Sequence, residues 1–240
     1  MSILVELVKD IFGARRPIAL NNSTHLKKVL NVGGGNKSIQ IPDYYSGWKH
    51  DLLDIDPRGS PDIVCDARKL TTLPGGSYDA VYCSHNLEHY YRHQGLDVVK
   101  GFFHMLKSDG FAEIRVPDIS QVIKALIDQN LELDDVLYQS LAGPITAHDV
   151  IYGFQTEIIG SGQDFYAHKT GFTPKSLVTI LTEGGFRTVF ISTDDHLAVY
   201  ALAFKEEPTH EQHSYITNTW NSITRYSVSE NEFISQRLTD

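Results

Sequence analysis

A succession of short apolar runs constrains this chain most: "KVLNVG", "DLLDID", "DIVCD", "YDAVYCS", "FAEIRVP", "TVFIST" and "AVYALAF". Between several of them lie longer segments with helical spacing, such as "LDVVKGFFHML" and "SLVTILTEGG", the second closing on a glycine pair suited to a helix C-cap. Continuous apolar strands alternating with helices indicate an α/β protein whose parallel sheet is covered on both faces. The pattern changes in "RTVFISTDDHLAVYALAFK", where two strand-like runs joined by a turn around Asp194 and Asp195 indicate an antiparallel pair.

The 240 residues suit one domain. Residues 1–205 are expected to form it, with an insertion at about 129–172 that is too long for a plain connection and lies over one edge of the sheet. The tail, 206–240, is polar and acidic, but Tyr215, Trp220, Tyr226 and Phe233 are interleaved in it. Such spacing favours a segment that docks, and it could serve a homodimer contact. With 21 basic against 30 acidic side chains and a net charge of -9, no nucleic-acid groove is expected. The amphipathic start "MSILVELVKDIFGARRPIAL" is broken by Glu6, Lys9 and Asp10, so it reads as neither signal peptide nor membrane span. Cys65 and Cys83 supply no disulfide framework and no metal quartet, which places the protein in a reducing, cytoplasmic setting with both thiols free and buried.

Within that frame "VLNVGGGN" is a strand running into a glycine turn. Open α/β sheets bind ligands beyond the carboxyl ends of their strands, and Gly33 and Gly35 let the backbone come close to one. Ser38 stands where a dinucleotide fingerprint needs its third glycine, and no P-loop ending is in register. "DLLDIDP" puts Asp54 and Asp56 at the end of the second strand, where a carboxylate can accept from both ribose hydroxyls. Asp66 ends the third strand, placed to accept from an exocyclic amine. Three acidic residues at the ends of successive elements point to an adenosine site.

Taken together, "VLNVGGGN", "LLDIDP", "DIVCDARKLTTLP", "SYDAVYCSHNLEHY", "MLKSDGFAEIRVPD" and "HKTGFTPKSLVTILTEGGF" resemble a class I S-adenosylmethionine-dependent methyltransferase. The chain is most similar to a small bacterial group with LNxGxGN, LEH and VPD motifs, from about Lys28 to Lys205. The resemblance implies a Rossmann-like methyltransferase fold: a mostly parallel seven-stranded sheet with an antiparallel terminal strand and helices on both faces. It implies S-adenosyl-L-methionine as cofactor, with Gly33, Gly34 and Gly35 under the methionine moiety and Asp54 on the ribose, Asp56 beside it. Asp66 and the Ala67 backbone would face the adenine, and Cys83 and Ser84 the methionine side. Asn31 stands where many members carry an acidic residue, and Lys37 where the commoner motif has a third glycine.

The histidines bear on the acceptor. Methyl transfer to a hydroxyl is helped by a general base, for which His is suited. His85 and His89 bracket Glu88 in "SHNLEHYYRH", and on a helix starting there they would share a face. The Glu is misplaced for a zinc-protease motif and no third ligand stands at a telling spacing, so no metal is expected. The insertion adds His148, Asp149 and Tyr152, then Phe165, Tyr166, His168 and Lys169, and Asp118 follows the fifth strand. His85, His148 and His168 are the candidate catalytic residues, in a polar, aromatic pocket suited to a small-molecule acceptor. A non-catalytic binding protein on the same fold is the alternative, and a nicotinamide-dependent oxidoreductase is disfavoured by Ser38, Asp66 and the final hairpin.

Overall fold

The computed structural model describes residues 26–140, 143–193, 197–219, 223–228 and 233–237. The amphipathic N-terminal stretch, the turn at Asp194 and Asp195, and Trp220 lie outside the described residues. The expected strands form: β1 (Lys28–Val32), β2 (Lys49–Asp54), β3 (Ile63–Val64), β4 (Tyr78–Ser84) and β5 (Leu106–Pro117). These are parallel neighbours in the order β3-β2-β1-β4-β5. The late runs are β8 (Thr188–Thr193) and β9 (Ala198–Phe204), an antiparallel pair, with β9 inserted against β5 as the terminal antiparallel strand.

Among the described residues the sheet has nine strands, two more than the seven expected. The additions come from the tail, where β10 (Ile223–Val228) pairs antiparallel with β8, and β11 (Phe233–Arg237) with β10. The tail's helix α6 (His210–Thr219) precedes them. Ile216 and Ile223 are 1% and 0% exposed, in a cluster with Phe190, Tyr200 and Phe204. Thr, Tyr and Val in "ITRYSV" are good strand formers, and the edge of β8 offers them a ladder.

The opposite face is covered by α1 (Arg92–Met105) and α5 (Pro174–Glu183). Val98, Val99, Phe102 and Met105 fall on one side of α1, and Leu177, Val178 and Leu181 on one side of α5. Both sets bury into one cluster with Leu30, Val81, Cys83 and Ile114 from the strands. α5 opens on a capping box between Thr173 and Ser176, with Pro174 in its first turn, and closes on the expected glycine pair. Residues 129–172 hold the hairpin β6 (Val136–Ser140) and β7 (Gly143–Thr146), α3 (Ala147–Tyr152) and α4 (Gln155–Ser161). They pack on α2 (Ile119–Gln129) through Val122, Ile145, Ala147 and Val150, as a small core of their own. Among the described residues no helix is long and apolar enough to cross a membrane.

Candidate functional site

The carboxyl end of β1 runs into Gly33, Gly34 and Gly35, with φ of +72° at Gly33 and +67° at Gly35. A Cβ on Gly33 would lie 2.0 Å from Asn86 Nδ2, and one on Gly34 2.2 Å from Asn31 Nδ2. The side chains of Asn31 and Asn86 thus fill the space a larger residue would need, and the turn presents bare backbone to the cleft. Gly33→Ala meets both the left-handed φ and Asn86. About 2 kcal/mol of stability should be lost, some 4–8 °C in a thermal melt of a chain this size.

Asp54, 7% exposed, holds that turn. Its Oδ2 accepts from Gly35 N–H at 2.8 Å and its Oδ1 from Asp56 N–H at 2.9 Å. A carboxylate has about four acceptor positions, so roughly two stay open. Burial pushes the Asp54 carboxyl up, while the Asp56 and Gly35 amides pull against it. Asp56 is engaged differently. Its carboxylate takes Arg58 Nε at 2.8 Å and Nη2 at 2.5 Å, and Tyr166 Oη at 3.0 Å. The Arg58 contact, against burial, holds Asp56 low, at about 2. Burial and Asp56 push the Tyr166 phenol up to about 12. Tyr166 belongs to the insertion, so this contact clasps the insertion to the end of β2. Tyr166→Phe should loosen it by about 1 kcal/mol, seen as faster amide exchange or proteolysis in residues 153–168 with the melt of the sheet unchanged.

Asp66 begins a 3-10 turn over Ala67–Thr72 and is forked by Arg68, Nη2 to Oδ2 at 2.5 Å. Burial pushes the Asp66 carboxyl up, but the Arg68 hydrogen bonds outweigh it and leave it low. The alternation of β4 separates two residues expected side by side. Ser84 lines the cleft, whereas Cys83 points to the other face, 0% exposed in the core with α1, where burial pushes its thiol up. Ala67 is also a core residue, its carbonyl oxygen near Gly101 of α1.

Beyond Ser84 the structure departs from the expected helix. His85 has φ +50°, Leu87–His89 is a single 3-10 turn, and α1 starts only at Arg92, so His85 and His89 share no helix face. Glu88 sits between them, 1% exposed. Its backbone carbonyl accepts from Lys169 N–H at 2.8 Å and Thr170 N–H at 3.2 Å, which draws the end of the insertion down onto this turn. His168 arrives with it. His168 Nδ1 lies 2.8 Å from Val150 O and its Nε2 4.0 Å from Glu88 Oε1. His85 Nδ1 is 3.5 Å from the same oxygen. The His89 and His168 rings meet edge to face at 4.8 Å. Burial lowers the His85 imidazole, with Glu88 opposing, and lowers His89 to about 4. Burial works against the Glu88 charge, but the imidazoles around it hold its carboxyl down.

One cavity of about 970 Å³ joins these parts, lined by Asn31, Gly33–Gly35, Asp54, Asp56 and Asp66 and also by Ser84, His85, Glu88, His89 and His168. His148 is not among its lining residues; it packs against Tyr152, ring centroids 4.9 Å apart, and its backbone N–H bonds Leu133 O. Asp118 caps α2 through Ser120 N–H, and Asp149 forms the α3 capping box with Thr146. Asn86, Tyr138 and Phe154 also line the cavity. Asn86 alone had a signal in sequence, directly after the strand that neighbours the glycine turn.

No protein-family model matches the chain, and no curated protein matches it in sequence. Solved structures do. The PH0226 protein from Pyrococcus horikoshii superposes with a TM-score of 0.50 at 13% identity, over 76% of this chain and 83% of its own. The fold is the Rossmann-like methyltransferase fold. A SAM-dependent methyltransferase from Archaeoglobus fulgidus gives a TM-score of 0.48 at 17% identity, over 74% of this chain and 86% of its own. An O-methyltransferase family protein from Burkholderia thailandensis gives 0.47 at 12%, over 76% and 52%.

Proposed function

We propose that the protein transfers the methyl group of S-adenosylmethionine to a hydroxyl oxygen of a small polar acceptor. The observation that carries this reading is one cavity lined by Asp54, the glycine turn and His85 together. The residues fit the cofactor. Gly33 and Gly34, packed against Asn86 and Asn31 where no Cβ fits, bring bare backbone to the cavity wall, and Asp54 keeps acceptor positions for ribose hydroxyls. Ser84 Oγ and Asn86 Oδ1, buried beside the turn and without hydrogen-bond partners among the described residues, suit the polar end of a methionine moiety. When bound, the cofactor supplies an electrophilic methyl on a sulfonium.

The chain's own residues then align the acceptor and take its proton. His85 follows the end of β4 and lines the cavity, with its Nδ1 3.5 Å from Glu88 Oε1, and its imidazole is the group offered as base. The insertion contributes Tyr138 and Phe154 to the cavity wall, one ring with a phenol and one without, which suit a sugar-like or phenolic acceptor.

Calorimetric titration with S-adenosylmethionine, S-adenosylhomocysteine and NAD tests the cofactor half. Micromolar binding of the two sulfur nucleotides and none of NAD is expected. Methyl-labelled donor with panels of sugars and phenols tests the acceptor half. A folded protein that binds neither sulfur nucleotide overturns the proposal, and binding without transfer to any hydroxyl class reduces it to cofactor binding.

A further inference from the structure

Glu88 stands out among the buried groups. It is 1% exposed, and among the described residues neither Oε1 nor Oε2 has a hydrogen-bond partner. Buried carboxylates are normally paired, hydrogen-bonded or bound to a metal. The imidazoles of His85 and His168 lie 3.5 and 4.0 Å from Oε1, outside hydrogen-bond geometry.

The second observation concerns the tautomers of its neighbours. His168 Nδ1 is 2.8 Å from Val150 O, and His89 Nδ1 is 3.2 Å from Ala167 O. A carbonyl can only accept, so each Nδ1 carries the hydrogen and donates it. Each neutral ring is then left with a bare Nε2. A backbone carbonyl fixing one nitrogen while the other is free is the arrangement by which metal-ligating histidines are held. One ligand atom each from Glu88, His89 and His168 can be chosen so that all lie within 4.8 Å of one another.

We propose that Glu88, His89 and His168 bind a divalent first-row transition ion, with Zn²⁺ the best match to two imidazoles and one carboxylate. Three protein donors leave at least one coordination position for water or another ligand, as in catalytic rather than structural zinc sites. All three residues line the cavity, so that position is reached from it. Bonds of about 2.0–2.2 Å require the three side chains to draw together, through small rotations. The donor types fit Zn²⁺ and Co²⁺ better than Mg²⁺ or Ca²⁺, which prefer all-oxygen shells. The inference needs only this donor set and does not rest on methyl transfer.

The test is titration of untagged, chelator-treated protein with Co²⁺, followed by its visible absorption and by calorimetry, then competition with Zn²⁺. About one ion per chain is expected, displaced by Zn²⁺, without the thiolate charge-transfer band that binding at Cys65 would bring. His168→Ala and His89→Ala should each weaken binding at least about 100-fold, with folding checked by circular dichroism. His104→Ala, whose ring bonds Leu73 O elsewhere, should bind as the parent does. No uptake by the folded parent protein, or uptake unchanged in both variants, overturns the proposal. Binding of S-adenosylhomocysteine is measured on the same samples and reads the cofactor site separately.

Discussion

Asp54→Ala weakens binding of S-adenosylhomocysteine by roughly 100-fold or more, as the expected result of two losses. The first is direct: two charge-assisted hydrogen bonds to ribose, about 1.5–3 kcal/mol each, vanish with the carboxylate. Their sum is worth two to four factors of ten in affinity by the usual conversion of about 1.4 kcal/mol per factor. The second is indirect. Gly35 N–H and Asp56 N–H lose their acceptor, so the glycine turn keeps its Gly33 N–H to Leu53 O bond but loses its side-chain contact to the end of β2. Calorimetry on the folded variant measures the sum. An affinity within a few-fold of the parent's would place the ribose elsewhere and sink the cofactor reading.

His85→Asn carries the second large effect, a fall in kcat of about 100-fold or more with KM little changed. Asparagine is the informative replacement because residue 85 has φ +50°, a conformation that Asn tolerates far better than Ala or Gln. The backbone turn therefore survives while the basic nitrogen is lost. S-adenosylhomocysteine affinity should be unchanged, since the proposed role of His85 is toward the acceptor. A kcat that stays level would remove His85 as the base.

The parallel strands were legible because continuous apolar runs can only be buried on both faces, and each expected run forms a strand or part of one. The glycine turn and Asp54 were legible because a bare-backbone turn and a carboxylate at adjoining strand ends have a local signature. Cys83 was misplaced toward the cofactor although the alternation of β4 contains the answer: Tyr82 and Ser84 face one way, so Cys83 faces the other. The helix expected across His85 and His89 failed because periodicity alone does not register a left-handed residue at its start. His168 could not be placed from spacing. It meets Glu88 through backbone hydrogen bonds from Lys169 and Thr170, contacts that leave no pattern in the sequence. The tail's strands were hidden by their polarity, since β10 at residues 223–228 has the composition of an edge ribbon and gains its order from the edge of β8.

The clasp of Tyr166 on Asp56 sets a kinetic constraint. The insertion is held to the β2 end by a phenol whose other contact is Arg58 at 3.3 Å. A ligand that must lift the insertion to enter or leave waits for that hydroxyl to release, while one that slips past does not. Tyr166→Phe should therefore shorten the residence time of a bound molecule more than it alters equilibrium affinity, because entry and exit are relieved together. Turnover limited by product departure would rise in the variant, and turnover limited by chemistry would not.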